Sequence, residues 1–203
     1  MGSSANTRPP RGRGGIPLYL EVTGDDHPRA CTGRRLIHRG IATAVERAGA
    51  VHPTPVVLDP YGSDPLSPAD RQAAERGGVL AVDCSWNRVA ARGGLPGGRT
   101  GPGRRRRLPI LIAANPQHYG RLAELNTVEA LSAALFVLGH PDEAAAILEG
   151  FRGGGNFLEV NRARLAAYAA AADADAVRAA ERTLFRAPNG GPADAPATRS
   201  AAR

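Results

Sequence analysis

The sequence predicts an α/β protein in which a parallel-sheet domain precedes an all-helical C-terminal part. Three observations predict it. Short apolar runs alternate with helical patterns over residues 16–112, the pattern turns wholly helical after Asn115-Pro116, and the run Gly78-Val79-Leu80-Ala81-Val82 is apolar without alternation, as a strand buried on both faces requires.

The elements follow in order. Residues 16–22 read as a first strand. Thr32 is a good N-cap for a helix over 33–48, with Leu36, Ile37, Ile41 and Val45 on one face and Gly49 as its stop. Residues 56–58 form a second strand. Ser67 then caps a short helix with Pro68 at its first position and Asp70 near the positive dipole end, closing at Gly77 before a third strand over 78–82. Residues 90–107, dense in Gly, Pro and Arg, read as a loop leading to a fourth strand over 108–113. Asn126 with Glu129 three residues on has the form of a capping box, and its helix runs to Leu138 before Gly139. Pro141 opens a helix through Phe151, Gly153-Gly154-Gly155 breaks it, and Ala-rich helices continue to about Phe185. The expected organisation is an α/β domain at 16–112, a helical domain at 113–186, and disordered tails at 1–15 and 187–203.

Composition narrows the function class. A chain of 203 residues with 42% apolar content buries a core of ordinary size. Cys31 and Cys84 are too few for a disulfide framework and lack zinc-site spacing, and the five histidines are scattered, so no metal is expected. With no membrane-length apolar segment and no secretory leader, the cytosol is the default compartment. The net charge of +7 and a sequence pI near 10.6 suit a polyanionic partner such as nucleic acid. All 26 basic residues are arginine, a usage that a GC-rich genome also imposes. The run Arg104-Arg105-Arg106-Arg107 reads either as a phosphate contact or as a solvated insertion.

The third strand ends in Asp83-Cys84-Ser85-Trp86-Asn87, which sets the only tryptophan beside a carboxylate at a strand end, where open α/β sheets bind small ligands. Asp83 is a candidate base, or electrostatic support, or simply a cap of the following turn. Trp86 is a candidate pocket wall or an ordinary core residue.

Four ordered motifs carry a resemblance: Asp26-His27-Pro28-Arg29-Ala30-Cys31-Thr32-Gly33; Leu66-Ser67-Pro68-Ala69-Asp70-Arg71; the Asp83-Cys84-Ser85-Trp86 element; and residues 107–121, Arg-Leu-Pro-Ile-Leu-Ile-Ala-Ala-Asn-Pro-Gln-His-Tyr-Gly-Arg, followed by Leu125-Asn126-Thr127-Val128-Glu129-Ala130-Leu131. Together, over about residues 17–161, the chain resembles the small-subunit rRNA aminocarboxypropyltransferases. The resemblance implies a SPOUT-like fold with a deep trefoil knot in its C-terminal part, and S-adenosyl-L-methionine as group donor without a metal. It implies transfer of the 3-amino-3-carboxypropyl group to a (N1-methyl)pseudouridine of small-subunit rRNA, with release of 5′-methylthioadenosine, by a cytoplasmic monomer working on rRNA or the pre-ribosomal subunit.

Carried over residue by residue, the family's cofactor contacts fall on Thr32, Val82, Trp86, Leu108, Ala123 and Thr127, with Asp83 as the catalytic candidate. Thr32 also serves as a helix cap, and Val82 and Leu108 as strand core. Ala123 stands where an aromatic residue is usual, Gly153 replaces a usual tryptophan, and Gln117-His118 stands where Val-Asn is commoner. Two alternatives stay open: a SPOUT-type RNA methyltransferase using the same donor, and a non-catalytic ribosome-assembly factor.

Overall fold

The computed structural model describes residues 15–22, 32–46, 51, 53–83 and 103–185. Both tails apart from Gly15, the segment 23–31, and residues 84–102 with Trp86 lie outside them. Five strands form one sheet: β1 (Leu18–Val22), β2 (Thr43–Val45), β3 (Val56–Leu58), β4 (Val79–Asp83) and β5 (Arg104–Arg106). Every pairing is parallel and the order is β2-β1-β4-β3-β5, which puts β4 at the centre. The helices are α1 (Thr32–His38), α2 (Arg71–Gly77), α3 (Thr127–Val137), α4 (Pro141–Leu148), α5 (Gly154–Val160), α6 (Arg162–Ala169) and α7 (Ala174–Leu184), with a 3-10 turn at Pro68–Asp70 leading into α2.

Side chains alternate across each strand, and this sorts the core into two parts. Leu18, Leu20, Val56, Leu58, Val79 and Ala81 face a large apolar cluster that continues through Leu131 and Leu135 to Phe157, Leu165, Tyr168 and Val177. Val57 and Leu80 face a small cluster with Val51 on the other side. Helix α3, almost wholly apolar, lies against β4 and packs on α1, α4 and α6. Each of its fully buried leucines contributes about 1.5–3 kcal/mol over an exposed one, so this helix joins the sheet to the C-terminal helices.

Three expectations are corrected. The helix opening at Thr32 ends at His38, because Gly40 takes a left-handed φ of +68° and Ile41 and Ala42 turn their amides to Leu36 O. Thr43 and Val45, β-branched, then pair beside β1 as edge strand β2. The arginine run is not a loop: Arg104–Arg106 pairs with β3 as the opposite edge, and a row of charges there also discourages strand addition by another chain. Its side chains alternate onto carboxylates. Arg104 and Arg106 reach Asp70 at 3.0 Å, and Arg105 reaches Asp59 at 2.8 Å.

Residues 108–113, expected as a strand, lie outside the sheet. The backbone groups of Ile110 and Ile112 are taken by side chains from the helices, as amides removed from water require. Ile110 N donates to Glu181 Oε1 at 3.0 Å, and Ile112 N donates to Asn161 Oδ1 at 2.9 Å, while Asn161 Nδ2 returns a bond to Ile112 O at 2.8 Å. Tyr168, fully buried, donates its hydroxyl to Ile110 O at 2.9 Å. Burial first, then the nearby Glu181 charge, pushes this phenol's pKa well up and keeps it a donor. Glu181 is itself held by Arg107 in a bidentate pair at 2.7 and 2.8 Å.

Two stability outcomes follow from these pairs. Glu181→Ala orphans both the Arg107 charge and the Ile110 amide, so it should cost about 3 kcal/mol, lowering Tm by roughly 6–12 °C in a thermal melt. Arg106→Ser, which strips a partly buried cation from buried Asp70, should cost about 2 kcal/mol, whereas Arg104→Ser at the half-exposed end of the edge should cost less than about 1 kcal/mol.

Candidate functional site

The sheet topology itself singles out one edge of the molecule. From β1 the chain moves outward to β2, and from β4 it crosses β3 to reach β5, so the carboxyl ends of β1 and β4 lie where the connections diverge. In an open parallel sheet this divergence leaves a crevice lined by strand ends and helix N-termini. Val22 and Asp83, the last residues of the two strands, pair in register at its floor.

Asp83 is the polar end of β4 and is only 7% exposed. Its Oδ1 accepts a hydrogen bond from Thr127 Oγ1, the hydroxyl of the first residue of α3. On the other flank stands Gly33, the second residue of α1, and a Cβ placed there would collide with the Asp83 carboxylate. Thr32 opens the same helix and is half-buried. A strand-end carboxylate thus meets the N-terminal turn of α3, whose free amides and partial positive charge favour an anion.

The position of Thr127 is set by a buried carboxylate. The expected capping box is present: Asn126 Oδ1 accepts from Glu129 N at 3.0 Å, and Glu129 Oε2 accepts from Asn126 N at 2.9 Å. The same Glu129, 2% exposed, also accepts from Ala114 N at 2.8 Å and Asn115 Nδ2 at 2.7 Å. One side chain therefore joins the start of α3 to the segment entering a hairpin. That hairpin folds residues 111–123 back on themselves, with Ala113 N on Arg121 O and Ala123 N on Leu111 O, both at 2.8 Å, and an Ile112–Leu122 bridge.

The structure thus brings Asp83 and Thr127 into contact and sets the α1 start, Thr32-Gly33, against them. Val82 precedes Asp83 but points to the opposite face, where it packs with the small cluster. Leu108 is half-buried against the main core between Arg107 and Pro109. Ala123 is exposed at the hairpin's end and has a φ of +61°, a strained conformation for a residue with a Cβ. Gly153, at φ +80°, lies so close to Ala114 O that any side chain there would clash. Trp86 lies outside the described residues. The arginine run, a candidate phosphate contact in the sequence, is engaged with Asp59, Asp64, Asp70 and Glu181. Sequence reasoning saw Glu129 as a cap and missed its bonds to Ala114 and Asn115, and it missed the Gly33–Asp83 approach. The Asn115-Pro116 turn was the available signal for the first, and nothing local signals the second.

Comparison with known proteins agrees over most of the chain. Residues 56–185 match a family model described as "Ribosome biogenesis protein, C-terminal". The 16S rRNA aminocarboxypropyltransferase of Methanopyrus kandleri is 45% identical over 161 residues, which cover 79% of this chain and 94% of that protein. The 18S rRNA aminocarboxypropyltransferase of Schizosaccharomyces pombe is 38% identical over 167 residues, covering 82% of this chain and 56% of that longer protein. The solved structure of the SAM-dependent rRNA:acp-transferase Tsr3 from Vulcanisaeta distributa superposes with a TM-score of 0.72 at 35% identity, covering 83% of this chain and 97% of that one. At 45% identity over 94% of the Methanopyrus protein, and with a TM-score of 0.72 to the Vulcanisaeta structure, the chain belongs to the small-subunit rRNA aminocarboxypropyltransferase family.

Proposed function

We propose that this protein is an S-adenosylmethionine-dependent transferase that moves the 3-amino-3-carboxypropyl group onto a (N1-methyl)pseudouridine of small-subunit rRNA and releases 5′-methylthioadenosine. The observation that carries the reading is the Asp83–Thr127 pair at the β1/β4 switch point, in a chain of this family. The residues present fit the donor. Gly33, bare of a side chain, lets the α1 start close directly on the Asp83 carboxylate, and hydroxyl and amide donors at the α3 N-terminus suit the zwitterionic end of an amino acid.

Thr32, Leu108 and Thr127 are assigned to the donor pocket, Val82 through its backbone, with Trp86 as a wall and Ala123 at its rim. The bound donor supplies a sulfonium whose adjacent carbons are electrophilic. The protein orients more than it activates, since which carbon faces the RNA decides which group leaves. Asp83 supports positive charge at the reacting end and takes the proton lost from the imide nitrogen of the base. The remaining parts of the reading are a monomer, a cytosolic working place, a division at about residue 112, and a knotted SPOUT-like C-terminal half. They rest on the resemblance and the sequence pattern.

A transfer assay on unmodified small-subunit rRNA, with the donor labelled in its carboxyl carbon or in its methyl group, should place only the carboxyl label in RNA. Methyl label alone would make the protein a methyltransferase, and neither label, together with no donor binding, would leave the assembly-factor reading. Asp83→Asn keeps the Oδ1 acceptor for Thr127, so it should retain donor affinity in calorimetry while turnover falls about 10²–10⁴-fold. Turnover equal to wild type would remove Asp83 from the chemistry.

A further inference from the structure

Among the described residues, three large apolar side chains stand exposed, and two of them, Tyr119 at 64% and Leu122 at 50%, belong to one hairpin. The hairpin is firmly held despite its exposure. Asn115 Oδ1 accepts from His118 N at 3.0 Å, Arg121 N donates to His118 O at 3.0 Å, and Gly120 N donates to Ala113 O at 2.9 Å. The Glu124 carboxylate binds the His118 ring and, at 3.1 Å, the Arg121 guanidinium. At its base Asn115 is tied to Glu129, the residue that also places Thr127 on Asp83. An exposed aromatic ring and the reacting carboxylate are therefore joined through a short chain of buried hydrogen bonds.

Two exposed arginines lie on the segments that carry the ring and lead to its partner helix. Tyr119 Oη meets Asn156 Nδ2 of α5 at 3.3 Å, which steadies the ring by its edge and leaves most of it open. The turn before α5, packed on Ala114 through Gly153, carries Arg152, which is exposed and makes no ion pair or hydrogen bond with the described residues. Arg121 is 62% exposed on the hairpin itself. In contrast to Arg104–Arg106, whose charges meet carboxylates, Arg152 meets none among the described residues, and Arg121, though paired with Glu124, stays largely exposed two residues from Tyr119. A protein-docking patch asks for contiguous apolar area, whereas a held, exposed ring on a segment that also carries an exposed arginine suits an unstacked nucleobase with its phosphates.

We propose that Tyr119 is a stacking platform for an unpaired nucleobase beside the target nucleotide, with Arg121 and Arg152 as its phosphate contacts. The proposal rests on the RNA-modifying function and adds to it the surface that receives the RNA. It requires single-stranded or splayed RNA, because a base inside a duplex already stacks on its neighbours.

The test uses the full chain and a fluorescein-labelled single-stranded RNA of mixed sequence, read by anisotropy, with a duplex of equal length alongside. Tyr119→Ala should weaken single-strand binding about tenfold and leave duplex binding and donor affinity unchanged, while Tyr119→Phe binds as wild type. Arg152→Ser should reduce the slope of affinity against salt by about one phosphate contact. Single-strand binding indifferent to Tyr119→Ala overturns the proposal alone, as does a loss in Tyr119→Phe as large as in Tyr119→Ala, which would assign the effect to the hydroxyl. A wild-type chain that neither binds RNA nor transfers a group overturns the functional reading along with it.

Discussion

Everything in this fold turns on one stretch of chain that needs hydrogen bonds the sheet does not supply. Residues 108–114 leave the sheet at β5 and run on through the interior, where unpaired amides are costly. Glu181, Asn161, Tyr168 and Glu129 supply the missing partners, from α7, the α5–α6 junction, α6 and α3 in turn. A helix that shifted would strand a buried amide as well as lose apolar contact. Polar satisfaction thus makes the C-terminal helices specific, while the leucines and valines make them stable.

The site inherits its geometry from this arrangement. Glu129 closes the capping box of α3 and holds Ala114 and Asn115, so the helix start, the hairpin and the interior segment move together or not at all. Thr127 is delivered to Asp83 as a consequence, and Gly33 lets α1 come close from the other side. The Asp83–Thr127 contact joins the end of the central strand to the start of the helix that covers it, so the same pairing closes the fold and builds the crevice.

The arginines show how poorly net charge predicts a binding surface. Four consecutive guanidinium groups look like a phosphate site in the sequence, yet they alternate on an edge strand onto Asp70, Asp59 and Asp64, and Arg107 turns to Glu181. Asp70 is nearly fully buried, and an unpaired charge there would be strongly destabilising. Arg152, lone in the sequence, is exposed and meets no carboxylate among the described residues.

What the sequence alone determined was local: the α/β alternation, the capping box at Asn126 and Glu129, the Ser67-Pro68 turn, the helix ends at Gly77 and Gly139, and the motif order that carries the family. Each depends on residues a few positions apart, where propensity and capping act. The expected stop at Gly49 and break at Gly153-Gly154-Gly155 did not hold, since one helix ends at His38 and another begins at Gly154. The tertiary structure alone decided that β4 lies at the centre, that Thr43–Val45 and Arg104–Arg106 are edge strands, and that residues 108–113 are not a strand at all. Those outcomes rest on partners distant along the chain, such as Arg107 with Glu181, 74 residues on, and Thr127 with Asp83, 44 residues back. An apolar segment looks the same in sequence whether a strand or a buried carboxylate takes its amide, and only the packed helices make that choice.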